Sequence, residues 1–293
     1  MGKYPYASIS DHTELQWLND GYVIKRGRKG VEKYTSGSSQ HTAIYYGESD
    51  VRKDEEKAAA ILEKRHQAKL LQQRKARAAE KKYHDTIKKE WQKYLRKVKK
   101  IVVFDTETSG LNAGTHVILS ISWQVLDNKL RKTSEKTHFF DWPSDERRIT
   151  DEAIHVNGLT KERLAELGTS DKAEALQEFA DVITDADLLV AHNGRFDTRF
   201  INADAIEVGV RISFRDKELW DTMHRMTRYC AIPGYHGDYK WPRLSELADK
   251  LRIRQDDIDY HQSAADVEVT ARCFRAIVQR GIVSVCFCNN FKV

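Results

Sequence analysis

Hydrophobic and polar positions follow three successive regimes along the chain. Residues 1–50 hold short β-like runs broken by glycine and serine: Tyr22-Val23-Ile24-Lys25, Val31-Glu32-Lys33-Tyr34 and Thr42-Ala43-Ile44-Tyr45-Tyr46. The turn Arg26-Gly27-Arg28-Lys29-Gly30 separates the first two. This pattern predicts a small hairpin sheet, too small to bury a sizeable core alone. From Asp50 to Lys100 there is neither proline nor glycine, and Ala, Glu, Lys, Gln and Arg dominate. One long helix is expected, roughly 70 Å end to end. Ser49 or Asp50 would cap it, with Asp54, Glu55 and Glu56 in its first turns. Apolar residues are sparse in it (Ile61, Leu62, Leu70, Leu71) until Tyr83, Ile87, Trp91, Tyr94, Leu95 and Val98 recur at spacings of three and four. That stripe is expected to pack on the domain that begins after residue 100. The solvated stretch before it is expected to bridge, to pair with a second copy or to hold a protein partner.

The third regime begins at Ile101 and is α/β. Ile101-Val102-Val103-Phe104 and Leu188-Leu189-Val190-Ala191 are short, wholly apolar runs, as in strands covered on both faces. Val117–Leu126 and Thr137–Phe140 read as two further strands, with helices over much of 151–185 and a helix through Phe196, Phe200 and Ala203. An amphipathic helix covers about 261–280 through Val267, Val269, Ala271, Phe274, Ile277 and Val278. The expected division is a β-rich basic region at 1–50, a long basic helix at 51–100 and an α/β domain at 101–293.

Charge sharpens the division. Residues 1–100 contain 24 Lys/Arg and 13 Asp/Glu, a balance of +11, whereas residues 101–293 contain 25 and 31, a balance of −6. A basic third joined to an acidic remainder suggests a polyanionic partner for the first part and a different task for the second. The basic turn at 25–30 could grip a phosphate backbone or be a solvated tip. No apolar run approaches the length that spans a bilayer, and the first residues lack a secretory pattern, so neither membrane residence nor export is expected. Four cysteines (Cys230, Cys273, Cys286, Cys288) form no disulfide framework. Reduced thiols are favoured over a zinc site at Cys286 and Cys288, and the expected setting is cytoplasmic.

The chemistry lies in carboxylates at element ends. Asp105 and Glu107 come directly after Phe104 at a strand exit, and strand alternation points them the same way. Two converging carboxylates pack poorly but suit hard divalent cations, which take oxygen ligands. Asp197 lies just past the second buried strand, in the first turns of the next helix. His261 and Asp266 lie five apart at the start of the last helix. These ends meet only if a sheet collects them, and α/β sheets gather sites at strand carboxyl ends. His192 reads as a packed strand-end histidine, and Trp220, Trp241 and Tyr229 as core aromatics.

The segments Phe104–Leu111, His192–Asp197 and His261–Asp266 together resemble the DEDDh class of 3′→5′ exonucleases on the ribonuclease H-like fold. That class includes the proofreading epsilon subunit of bacterial DNA polymerase III, ribonuclease T and oligoribonuclease. The segment Ala153–Thr160 also looks like the family, with Val156-Asn157 intervening in its usual form. The resemblance covers roughly two thirds of the chain. It implies a mixed sheet flanked by helices, preceded here by the small β region and the basic helix. It also implies two Mg²⁺ or Mn²⁺ ions held by Asp105, Glu107, Asp197 and Asp266, with His261 as general base. Thr108, Ser109, Gly110 and Leu111 would lie under the terminal nucleotide, Leu111 wedging against a base, while His155, Asn193 and Phe196 shape the substrate side. The expected activity releases mononucleotides from single-stranded 3′ ends, DNA favoured over RNA in a replication or repair setting. The alternatives are an exoribonuclease or a non-catalytic nucleic-acid-binding module, and the presence of all five site residues disfavours the latter.

Overall fold

In the computed structural model, residues 12–35, 41–235, 237–255 and 262–284 are described. The chain divides into two compact units, Met1–Lys81 and Lys82–Val293. The first contains strand β1 (His12–Thr13), helix α1 (Glu14–Asn19), strands β2 (Tyr22–Ile24), β3 (Val31–Tyr34), β4 (Thr42–Tyr46) and β5 (Val51–Lys53), and the start of the long helix α2 (Glu55–Leu95). Leu18, Val23 and Ala58 form its small core, with Ile61 and Leu62 packed against it.

Two expectations for this unit are corrected. β3 and β4 pair, but β2 pairs with β5 and not across the basic turn with β3. The 25–30 turn therefore links two different sheets. Residues 51–53 are strand, so the helix begins at Glu55, and Asp54 supplies the cap by accepting the Lys57 N–H at 3.1 Å. Asp50 is instead engaged one turn earlier, where its carboxylate accepts the Gly47 N–H.

The second unit is built on a five-stranded sheet. Its strands are β6 (Ile101–Thr108), β7 (Ile118–Leu126), β8 (Lys132–Phe139), β9 (Leu188–Ala191) and β10 (Leu219–Asp221), in the order β10-β9-β6-β7-β8. β10, β9 and β6 are mutually parallel, while β7 runs antiparallel to β6 and β8. The helices are α3 (Asp151–Asn157), α4 (Lys161–Leu167), α5 (Lys172–Thr184), α6 (Gly194–Glu207), α7 (Thr222–Cys230), α8 (Leu244–Lys250) and α9 (Ser263–Arg280).

The apolar run at 101–104 is explained by burial on both faces. Ile101 and Val103 join Trp220, Phe274 and the end of α2 in one layer, and Val102 and Phe104 join Phe179, Phe200 and Phe214 in the other. The expected stripe on α2 is buried at Ile87, Trp91 and Leu95, continuing at Val98 beyond the helix. Trp91 packs edge-on to Trp220 and Phe274 and donates its indole N–H to the Val283 carbonyl at 2.8 Å. Tyr83, the stripe's first member, is 55% exposed and outside that core. No helix among the described residues is long and apolar enough to cross a membrane.

Candidate active site

β6 ends where its alternation leaves Asp105 and Glu107 half-buried between buried neighbours, so both carboxylates leave the sheet on one side. Asp105 stands opposite Ser122 of β7 and Glu107 opposite Ser120; the register then shifts between Glu107 and Thr108. Such an irregularity bends a strand and re-aims the residues beyond it. The third carboxylate comes from α9. The hydroxyl of Ser263, the helix's first residue, lies 2.8 Å from that of Ser120 and 2.7 Å from that of Ser122, which continues to Thr137 at 2.9 Å. This buried hydroxyl cluster pins the first turn of α9 onto β7. Asp266 is thereby brought to β6, and ligand oxygens of Asp105, Glu107 and Asp266 all lie within 4.8 Å of one another.

The pin has a testable weight. Ser263→Val leaves the Ser120 and Ser122 hydroxyls buried with a poorer partner, at a cost of about 1–3 kcal/mol. The expected result is a melting point lower by roughly 3–10 °C together with weaker Mn²⁺ binding by titration calorimetry. Unchanged metal affinity would mean that Ser263 does not position Asp266.

Asp197 enters on the first turn of α6. The chain reaches that helix through Asn193, whose φ of +72° lies in the left-handed region that asparagine tolerates better than most residues. At Gly194 a Cβ would sit 2.8 Å from the Ala191 methyl, so the close approach of helix start to strand end requires glycine. Asp197 is 2% exposed, and its Oδ1 accepts the Thr106 N–H at 3.0 Å and the Thr106 hydroxyl at 2.7 Å. It is outside the trio of mutually close oxygens, turned toward the residue between Asp105 and Glu107. Its charge is still felt there: Asp197 raises both neighbours.

The electrostatics identify what the site lacks in protein groups. Burial, with added repulsion from Asp197, Asp266 and Glu107, holds Asp105 well above the usual carboxylate range. Burial, then Asp266 and Asp197, pushes Glu107 up to about 8, against a hydrogen bond from Asn157 that lowers it. Burial pushes Asp197 up to about 7 despite its bonds from Thr106. Carboxylates that raise one another in this way fit a divalent cation with oxygen ligands.

Beside the trio lies a cleft of about 510 Å³ lined by Thr106, Glu107, Thr108, Gly110, Leu111 and Phe196, among others. Leu111 is 84% exposed at its edge, and the Phe196 ring packs on Phe200 with centroids 4.8 Å apart. Ser109 does not line this cleft. Its hydroxyl is buried, donating to the Arg148 carbonyl at 2.6 Å and accepting the Val117 N–H at 2.9 Å. His155 lies on the exposed side of α3 and lines an adjacent recess of about 260 Å³ with Arg163 and Gln262. Asn193 touches neither space; its N–H donates to Asp221. His192 is packed, its ring nitrogens near the Thr222 hydroxyl and the Pro242 carbonyl. His261 lies outside the described residues, as do Cys286 and Cys288.

Two residues of the cleft had no assigned role in the sequence. Asn157 hydrogen-bonds Glu107 and donates to the Thr108 carbonyl at 3.0 Å, tying α3 to the strand end. Its only signal was the unusual Val156-Asn157 in an otherwise family-like segment. His116 lies against Gly110, where a Cβ would meet its ring at 2.5 Å. Nothing in its sequence context pointed to that.

A mixed five-stranded sheet between helical layers, with carboxylates from a strand end and a helix start converging beside a cleft, fits a nuclease of the ribonuclease H-like, DEDDh class. The exonuclease family model (RNase T) matches residues 102–274, and the chain belongs to that family. It is thus an enzyme of the 3′→5′ exonuclease type. It is 28% identical to ribonuclease T of Vibrio vulnificus over 207 residues, which is 67% of this chain and 89% of the relative. It is 28% identical to the PolC-type DNA polymerase III of Bacillus subtilis over 170 residues, 58% of this chain but 11% of that polymerase. Exonuclease I of Methylocaldum szegediense shares the fold with a TM-score of 0.51 at 21% identity, over 62% of this chain and 41% of the other. The chain thus spans about two fifths of the exonuclease I length.

Proposed function

We propose that the protein removes mononucleotides from the 3′ end of single-stranded nucleic acid, DNA in preference to RNA, using two divalent cations, Mg²⁺ or Mn²⁺. The observation that carries this reading is the convergence of Asp105, Glu107 and Asp266 within 4.8 Å beside an open cleft. Asp105, Glu107 and Asp266 hold the cations, and Asp197 contributes from its seat on Thr106. Bound there, the cations supply charge neutralisation at the phosphate and an acidified water. His261 takes the proton from the attacking water, since an imidazole titrates near neutrality. Thr108, Gly110, Leu111 and Phe196 receive the terminal nucleotide in the cleft, Ser109 shapes the loop from within, His155 acts from the adjacent recess, and Asn193 acts through the start of α6. The setting we propose is cytoplasmic, supported by Cys230 and Cys273, which are buried free thiols.

RNA is the second reading, supported by the coverage of ribonuclease T. Turnover on matched DNA and RNA oligomers, with free and blocked 3′ ends, separates the two. Equal hydrolysis of blocked and free ends would refute the exonuclease direction itself.

For the basic first third we propose a role in affinity rather than chemistry. Its +11 balance complements a −6 remainder that must accept a polyanion. A chain lacking residues 1–81, which carry +5 of that +11, is expected to bind long single strands more weakly and with a flatter salt dependence, because fewer counterions are released. Equal salt slopes for the full and shortened chains would make the region a tether for a protein partner or a second copy.

A further inference from the structure

The loop at 231–243 joins α7 to α8 and exposes Tyr235, Tyr239 and Trp241 at 104%, 52% and 61%. Single exposed aromatics are ordinary on a protein surface, but three on one short loop are a concentration that calls for a partner. This exposure also corrects the expectation that Trp241 is core. The chemistry around the rings says which partner. Segment 222–243 carries Arg225, Arg228, Lys240 and Arg243 against the single acid Asp238, within a catalytic region that is otherwise acidic. Of the four, Lys240 is engaged by Glu246 at 2.6 Å and Arg225 lies over the Trp220 ring at 6.0 Å.

The loop is a built element. The Gly234 N–H donates to the Asp238 carbonyl at 2.7 Å and the Lys240 N–H to the Ile232 carbonyl at 3.0 Å, closing a short two-armed turn. A Cβ at Gly234 would lie 2.8 Å from the Asp238 carbonyl oxygen, so the arms approach this closely only with glycine there. Its root is tied to the active-site segment. Asp221 accepts the Gly194 N–H at 3.0 Å and pairs with His224 at 3.0 Å, and the His224 ring packs on Trp241 with centroids 5.0 Å apart. Gly194 opens the helix that carries Asp197, so a continuous run of contacts joins Trp241 to the carboxylate site.

We propose that this loop is a stacking platform for bases of a single strand lying upstream of the nucleotide being removed, an inference that rests on the nuclease reading above. Every base offers a π-face, so exposed Tyr and Trp rings with neighbouring cations hold a strand without reading its sequence. The cleft beside the carboxylates takes the 3′ end, and the loop takes bases further along, which favours long substrates over short ones.

The test uses the full chain and single strands carrying 5-iodouracil at successive positions from the 3′ end, irradiated without metal and mapped by peptide mass. Internal positions are expected to crosslink to Tyr235, Tyr239 or Trp241, and the terminal position is not. In parallel, Tyr235→Ala/Trp241→Ala should lower the ratio of long-strand to dinucleotide affinity by roughly 10–100-fold, with Trp241→Phe restoring most of it. Tyr235→Ala alone keeps the test open if the double variant fails to fold, because that ring is fully exposed. Wild-type affinity ratios, or no crosslink to the loop at any position, would overturn the proposal and leave the loop as a protein contact. A chain that hydrolyses nothing yet crosslinks at the loop would refute the nuclease reading, and with it the loop's place upstream of a removed nucleotide, while keeping the stacking contact itself.

Discussion

Asp105→Asn is expected to abolish divalent-dependent hydrolysis and, at the same time, to stabilise the metal-free protein. The first effect comes from the position of Asp105 within the carboxylate trio; the second comes from the way the fold treats its charge. Burial and three neighbouring acids disfavour the ionised form, so the folded chain holds protons that the unfolded chain has released. For a carboxylate raised in the folded state, the metal-free fold loses stability as pH rises above the unfolded value of about 4. For the Glu107 member that loss is complete once pH passes about 8. Replacing Asp105 relieves part of this and raises the melting temperature on the alkaline side, with no gain at acid pH. Mg²⁺ or Mn²⁺ should raise the wild-type melting point and leave the variant almost unmoved. Differential scanning calorimetry with and without chelator, across that pH range, reads both effects. Retained turnover in the variant would remove the cation-site assignment. A lower melting point at high pH would remove the electrostatic account of the site.

The second large effect concerns His261. As general base its loss should lower the rate by roughly 10²–10⁴-fold while metal affinity, read by calorimetry, stays close to wild type. The wild-type rate should rise with pH through one neutral-range ionisation, and that step should vanish from the variant's profile. Loss of metal binding in His261→Ala would instead make the imidazole a ligand. The proton on Glu107, pushed up to about 8, must leave when a cation binds, so metal affinity should also climb with pH. Measuring the rate at saturating metal separates the two ionisations.

Much of the site was legible because its signals are local. Strand alternation alone puts Asp105 and Glu107 on one side, and the wholly apolar 101–104 run announces a strand covered on both faces. The spacing that sets Asp266 on the first turns of a helix needs no knowledge of the surface that helix touches. The long helix was equally plain, since its composition excludes other conformations over most of Glu55–Leu95.

Features beyond the reach of local pattern depend on partners distant in the chain. Val51–Lys53 has nothing to distinguish it from a helix start until β2 pairs with it, and Leu219–Asp221 is too short to show until β9 flanks it. Ser109, read as a substrate contact, is turned inward because Arg148 and Val117 offer its hydroxyl buried partners. Trp241, read as core, is left in solvent by a loop whose root is held through Asp221 and His224. Composition and periodicity alone determined the α/β class, the carboxylates on their element ends and the basic third, because those features arise from backbone geometry within a few residues. Only the tertiary structure decided that Ser263 pins the start of α9 to β7 and so brings Asp266 to β6, that Asn157 meets Glu107, and that Tyr235, Tyr239 and Trp241 stand exposed on a loop whose root is tied to the active-site segment. Hydrogen bonds and ring contacts of that kind join residues dozens of positions apart, and no period along the chain encodes them.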